Sequence, residues 1–299
     1  MAVSSIFFTT VAKAVLTGFF GDAAIMDMVK RYTQLQKAIG ANTVDVPIWD
    51  DFTVHSMGSE CMTPCETTKV CEEAVAQIIQ IVLQTRFIPT PICLADLNIM
   101  NSEQKAGMIE KIAEDLMADF EVGGAFISVF DVLHTDAVFN GTAGGMPPIV
   151  LTDSAAAYRQ LSTAIHRARS KTRAGDDVVF VVPNALAGFI DSIPDRPIER
   201  LVGESSGIKY HVLGNADTFV RNYGVTTYTG RIGFVYPKSA LAYAAPIIQS
   251  PNDPWTGVYG SMWATALDDT GIPGKMFYFA HQYGLRVVRA GDVQMIIAP

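Results

Sequence analysis

Two stretches decide the fold: TVDVPIWDDFTV, residues 43–54, and EEAVAQIIQIVLQTRF, residues 72–87. In the first, Val44, Val46 and Ile48 fall on alternate residues, continued at Phe52 and Val54, with Asp45, Asp50 and Asp51 between or beside them. Period two is strand patterning. In the second, Ile79, Ile81, Leu83 and Phe87 share one parity and Gln80, Gln84 and Arg86 the other, although its first half also reads as helix. Pro89 and Pro91 are expected to end it. A polar patch, residues 56–68, holds Gly58 and Pro64 and joins the two as a turn. The pair reads as a long β-arm over 43–90. A two-stranded arm alone is marginally stable in water. Its apolar residues Trp49, Phe52, Ile79, Ile81 and Leu83 therefore need cover from beyond the arm, from the same chain or from a neighbouring copy. The expectation is that Trp49, Phe52, Ile79 and Ile81 contact a neighbour.

Outward from the arm, the clearest helix is 101–121. Asn101 can cap it, with Gln104 three residues on as the reciprocal partner. Met108, Ile109, Ile112, Leu116 and Phe120 form its apolar stripe, and Gly123-Gly124 stop it. Before the arm, Ile25, Met28, Val29 and Tyr32 recur at helical spacing, so 24–39 reads as a helix-compatible piece. Beyond the long helix, a Gly/Pro-rich linker at 140–148 marks a boundary, and a second helix spans 153–171. VVFVV, residues 178–182, reads as a strand buried on both faces, followed by a helix that Asn184 can cap. Strands follow at 208–213, 224–229, 232–236 and 276–280. The chain closes with 285–288, a turn at Ala290-Gly291-Asp292, and 293–297.

Composition bounds the function. The chain has 299 residues, 22 basic and 30 acidic, a net charge of −8, with 49% hydrophobic and only 17% charged residues. That excludes a disordered chain and argues against a dedicated nucleic-acid reader, which would carry a basic excess. Sparse charge with 24 Gly and 15 Pro suits a subunit that hides much of its surface against copies of itself. The apolar stretch 14–26 is broken by Gly18, Gly21 and Asp22, too short to span a bilayer. No basic segment precedes it, so no signal peptide is expected. No membrane partner and synthesis in the cytoplasm follow, where Cys61, Cys65, Cys71 and Cys93 default to free thiols.

The chemistry-bearing clusters are thin. His55 with Cys61, Cys65 and Cys71 could meet a zinc ion, but C-x3-C and C-x5-C match no standard finger; disulfides or plain thiols are the other readings. There is no phosphate-binding G-x-x-x-x-G-K-[ST] loop. The acid pairs Asp50-Asp51, Asp176-Asp177 and Asp268-Asp269 sit at turns, where they read as solvated. Arg159, Arg167, Arg169, Lys171 and Arg173 crowd the end of the second helix, which a helix C-terminus favours; an intersubunit or nucleic-acid surface is the alternative. No catalytic, cofactor or metal residue is therefore expected.

The order of these parts resembles the tailed-phage major capsid proteins of the Hong Kong 97 type, from about residue 30 to 299. The carrying segments are NSEQKAGMIEKIAEDLMADF (101–120), similar to the family's spine helix, and DDVVFVVPNALAGFID (176–191), similar to its axial strand and helix. GRIGFVYPKSALAYA (230–244) and KMFYFAHQYGLRVVRAGDVQMII (275–297) resemble its closing strands. The chain departs from the family at EVGGAF (121–126) and in its arm cysteines, and no lysine–asparagine crosslinking pair transfers onto it. The resemblance implies an α+β Hong Kong 97-like capsid fold. Its parts would be an N-terminal arm (1–42), an extended β-arm or E-loop (43–90), a peripheral domain with the spine helix (91–175, helix 101–121), an axial α/β domain (176–274) and a C-terminal β-hairpin returning to the peripheral domain (275–299). It also implies self-assembly into hexamers and pentamers of an icosahedral shell. Packaged double-stranded DNA would be held without sequence-specific contact, and scaffolding, portal and decoration proteins are candidate partners. Lys111 on the spine helix and Arg167 on the second helix join the arm residues as expected intersubunit contacts. An encapsulin-like nanocompartment shares the fold. A soluble cytoplasmic α/β enzyme with thiol or zinc chemistry around Cys61–Cys93 is the reading from another class.

Overall fold

The structure is a computed structural model. It describes residues 5–21, 27–32, 42–49, 76–93, 96, 99–122, 128–136, 146–152, 154–172, 176–193, 207–223, 226–248, 253, 255–268 and 275–299. The strongest local signals form as read. The long helix expected at 101–121, α2, runs Ser102–Val122, with helix α1 (Ser5–Gly21) ahead of it in the chain. Its capping box closes reciprocally: the Gln104 amide donates to Asn101 Oδ1 at 2.8 Å, and the Asn101 amide to Gln104 Oε1 at 3.1 Å. Ile112, Leu116 and Phe120 are buried in its own chain's core. Two short helices follow: α3, Val129–His134, and α4, Ser154–Ser170, the second helix of the sequence reading.

Two sheets organise the rest. A five-stranded sheet has the order β5 (Met146–Val150), β15 (Gln294–Ile297), β10 (Ile232–Pro237), β6 (Val178–Val182) and β7 (Ile208–Val212). The VVFVV strand β6 sits between two neighbours, with all five residues buried as expected. One face of this sheet, through Val178, Phe180, Val182, Val235 and Ile296, packs under α4 and under helix α5 (Asn184–Asp191). The opposite face, through Val179, Val181, Phe234 and Tyr236, joins the cluster that holds α2 and α3. A six-stranded sheet contains β1 (Lys30–Tyr32), β11 (Leu241–Ala244), β14 (Lys275–Val287), β13 (Met262–Asp268) and β12 (Thr256–Tyr259), with β4 (Gln84–Cys93) also paired to β14. Two hairpins stand apart: β2 (Thr43–Trp49) with β3 (Ala76–Val82), and β8 (Val220–Tyr223) with β9 (Thr226–Thr229).

Five expectations give way to tertiary context. Residues 30–32, inside the helix-compatible piece, form β1, which lies parallel to β11; an available sheet edge outweighs a weak helical period. Within the expected N-terminal arm, residues 5–21 form α1, which buries Phe8, Val11, Val15, Leu16 and Phe19 between α2, β12 and β13. Pro89 and Pro91 do not end their strand. β4 continues to Cys93 and, among the described strands, pairs only with β14, and proline is tolerated in such an edge strand. The closing segment is not a hairpin. β14 is one 13-residue strand of the six-stranded sheet, whereas β15 crosses to the other sheet and lies between β10 and β5. All four β15 residues are buried, and β10 and β5 pair both of its edges. The expected linker at 140–148 overlaps a strand, since Met146–Val150 is β5. Finally, Asn184 does not cap α5. Its side-chain amide donates to Asp217 at 2.8 Å, and Asp217 accepts from the Ala185 amide instead.

Candidate assembly surfaces

The root of the arm is built on the chain itself. β2 and β3 pair antiparallel, Val46 opposite Ile79 and Thr43 opposite Val82. Val44, Val46, Ile81 and Leu83 turn inward onto Ala242 and Ala244 of β11. The small residues of β11 leave room for this. Gly284 of β14 does the same: a Cβ there would lie 2.4 Å from the Val82 carbonyl oxygen and 2.6 Å from Ile81 Cγ2. The Arg286 guanidinium donates to the Gln80 carbonyl, and the Leu83 amide to the Asn42 carbonyl at 2.7 Å. The expectation that Ile81 reaches a neighbour is thus corrected, since it is fully buried under its own sheet. Ile79 is half-buried. Trp49 lies in β2 opposite Ala76, while its side chain, like the whole of Phe52, lies outside the described residues.

The outward face of the arm carries residues the sequence reading passed over. Ile78 is 66% and Val82 56% exposed, and on β4 Phe87 is 49% exposed while stacking on Tyr278 at 5.1 Å. The signal was present. Ile78 and Val82 occupy the parity opposite Ile79 and Ile81, so β3 is apolar on both faces. A strand with one apolar face already covered by its own chain and a second in water offers that second face to a partner.

Two helix faces carry charge. On α2, Glu103, Glu110, Lys111, Glu114 and Asp115 are exposed, and the Lys111 ammonium sits 2.9 Å from Asp115 and 3.5 Å from Glu114. Those partners raise the Lys111 pKa, the Asp115 hydrogen bond most of all. Deeper on α2, Asp119 meets Arg86 of β4 at 3.0 Å. Burial raises the Asp119 carboxyl, and Arg86 opposes that. On α4, Arg159, His166 and Arg167 are exposed and Arg169 is half-buried, with exposed Lys171 just past its end. Asp176 is not merely solvated: it accepts from the Ser239 amide and hydroxyl and so ties the strand end of β6 to the turn after β10.

The core beneath these faces is aromatic. Phe19, Phe120, Tyr243, Tyr283 and His281 form one cluster, with Phe19 5.2 Å and Tyr283 4.8 Å from the His281 ring. His281 Nε2 lies 3.0 Å from the Tyr243 hydroxyl and 3.2 Å from Ser261 Oγ. Burial pushes its pKa down to about 3, and that of His134 down to about 4. A serine, a histidine and a tyrosine are in contact here, and His281 is fully buried. Among the described residues no group of three His, Cys, Asp or Glu could hold a metal ion. His55, Cys61, Cys65 and Cys71 lie outside the described residues; Cys93 ends β4. No described helix is long and apolar enough to cross a membrane.

No protein-family model and no curated protein sequence matches the chain. Solved structures do. A capsid of the cyanophage P-SCSP1u is similar over 92% of this chain and 88% of its own, at TM-score 0.55 and 12% identity. The capsid protein of a native GTA particle is similar over 92% and 90%, at TM-score 0.56 and 14% identity. A virus-like particle from Pyrococcus furiosus is similar over 97% and 99%, at TM-score 0.53 and 12% identity.

The chain has a Hong Kong 97-like capsid fold.

That fold gives the described elements their places. α2 lies where the sequence reading expects the spine helix, and β2 with β3 where it expects the base of the arm. At 12–14% identity the likeness lives in topology. It is carried by where helices and strands lie, and the site residues have to be read from this chain's own burial and charge.

Proposed function

We propose that this protein is a major capsid protein, the repeating subunit of an icosahedral shell of tailed-phage type that encloses double-stranded DNA. The carrying observation is a whole-chain Hong Kong 97-like fold whose arm root presents Ile78 and Val82 to solvent on a face its own chain leaves open. Exposed side chains of this size gain on the order of 1.5–3 kcal/mol each when buried. A contact repeated by every subunit then adds up to a closed particle. On this reading the protein is not an enzyme and works in the virion capsid. Its partners are further copies of itself in hexamers and pentamers, joined by scaffolding, portal and decoration proteins. Ile79, the outward arm residues, Lys111 and Arg167 lie at subunit borders.

The chain expressed alone and purified at low and high concentration tests this. Closed particles or discrete capsomers in negative-stain images support the shell; a monomer at every concentration overturns it. The Pyrococcus furiosus particle protein, matched over 99% of its own chain, favours a second reading, a protein nanocompartment without a packaged genome. Particles isolated from the native source that contain protein cargo and no DNA would replace the phage reading with that one.

A further inference from the structure

The two charged helix faces break a rule of helix electrostatics in opposite directions. A helix favours acids in its first turn and bases in its last. α2 has no basic residue in its last turn, yet Glu114, Asp115, Asp119 and Glu121 crowd its second half. In all it carries six acids against two lysines. α4 has no acidic residue anywhere, none in its first turn, and places Arg159 in its first half. The dipole accounts for Glu103 on α2 and for Arg167 and Arg169 on α4. It works against the rest. Helix stability therefore does not select this pattern.

The faces are also matched in shape and placed apart. On α2, Glu103, Glu110 and Glu114 fall on one outward stripe, opposite buried Ile112 and Leu116. On α4, Arg159 and His166 fall on one stripe with Arg167 at its flank, opposite buried Leu161, Ala164 and Ala168. Glu103 to Glu110 and Arg159 to His166 are both seven-residue steps, about 10 Å along a helix. Among the described residues no carboxylate pairs with Arg159 or Arg167. α4 covers one face of the five-stranded sheet, while α2 belongs to the cluster on the other. The two stripes thus cannot meet within one chain.

We propose that they meet between chains: the basic stripe of α4 in one copy docks on the acidic stripe of α2 in the next. Ring closure uses a head-to-tail contact, in which two different faces of the subunit meet. One basic and one acidic face on opposite sides of a sheet supply such a pair. This rests on the shell reading above and names one contact within it. Lys111, flanking the acidic stripe and already tied to Glu114 and Asp115, sets register by rejecting arginines that come in off line.

The test is a charge swap. Arg159→Glu with Arg167→Glu puts acid against acid; Glu103→Lys with Glu110→Lys puts base against base. All four sites are exposed, so each variant is expected to keep its thermal unfolding midpoint while assembling at least on the order of tenfold more slowly than the parent chain at low salt. Joining all four changes in one chain restores assembly. Mixing the two pair variants restores only rings with an even number of members, because like copies repel. The milder pair Arg159→Gln with Arg167→Gln should slow assembly and flatten its salt dependence. If the swapped chains assemble like the parent, the contact is wrong and the shell reading stands. If, besides, the α4 variants lose binding to a short double-stranded DNA, α4 faces nucleic acid instead. If the parent chain never assembles, the shell reading itself falls.

Discussion

Gly257 shows how much one missing side chain can decide. A Cβ at this position of β12 would lie 2.0 Å from the Thr9 nitrogen and 2.4 Å from the Phe8 carbonyl carbon. Both are backbone atoms of α1, so neither can swing aside. Gly257→Ala is expected to cost at least the ~1–3 kcal/mol typical of an overpacked core and to lift α1 from its seat. Lower urea midpoints and faster proteolysis near residue 10 would register this. An unchanged midpoint would mean that α1 is not docked there. Gly107 is the counterpart: exposed on α2 with nothing within 4 Å of its would-be Cβ. Gly107→Ala should stabilise the helix by about 0.5–1 kcal/mol, the backbone freedom a mid-helix glycine forfeits. The same measurement reads both, with opposite signs.

At the scale of elements, α2 and the arm respond differently to damage. Ile112 is 3% exposed in the core that α2 shares with α1 and the sheet. Ile112→Asp buries an unpaired carboxylate, a cost of several kcal/mol or a forced protonation, so soluble protein should disappear. Recovery of a normally folded variant would place α2 outside the core. The arm is expected to separate folding from assembly. Its root is held by Val44, Val46, Ile81 and Leu83, well before residues 56–68. Deleting 56–68 should therefore leave a soluble chain with a near-normal melting temperature that no longer forms particles. A deletion that unfolds the chain would make the distal arm part of the subunit's own core.

For the whole molecule, the buried histidines set the response to acid. His134 and His281 have folded pKa values of about 4 and about 3, against 6.5 for the free side chain. Below pH ~6.5 the unfolded chain takes up these protons and the native chain does not, so stability falls as pH falls. The limiting slope is about 1.4 kcal/mol per pH unit for each histidine. For His134 the loss continues down to pH about 4 and for His281 to about 3. Asp119 and Asp136, raised by burial, act in the opposite sense, because the native chain takes up their protons before the unfolded chain does. Urea unfolding at pH 7, 6 and 5 should show a falling stability, and His134→Gln a shallower slope. A flat profile between pH 6.5 and 5 would contradict the neutral burial of both rings.

The sequence by itself determined the parts whose signals are local. A capping box and a stripe at helical spacing specify α2 because the start signal lies in Asn101–Gln104 and the stripe within the helix itself. Five apolar residues in a row specify β6 as a strand buried on both faces, and period two specifies β2 and the inward parity of β3. Together these were enough for a resemblance to a shell fold and for Lys111 and Arg167 as surface charges to watch. Only the tertiary structure decided which long-range pairings win. Lys30–Tyr32 became a strand because β11 had an open edge. Pro89 and Pro91 stayed in a strand because, among the described residues, β4 lies at a sheet edge, where proline is tolerated. β15 left β14 because β10 and β5 pair both of its edges in the other sheet. The arm's inward face proved to be covered by its own chain because Ala242, Ala244 and Gly284 leave space for it, which turned Ile78 and Val82 outward. Each of these outcomes depends on groups tens to hundreds of residues away, and no periodicity within a segment carries that information.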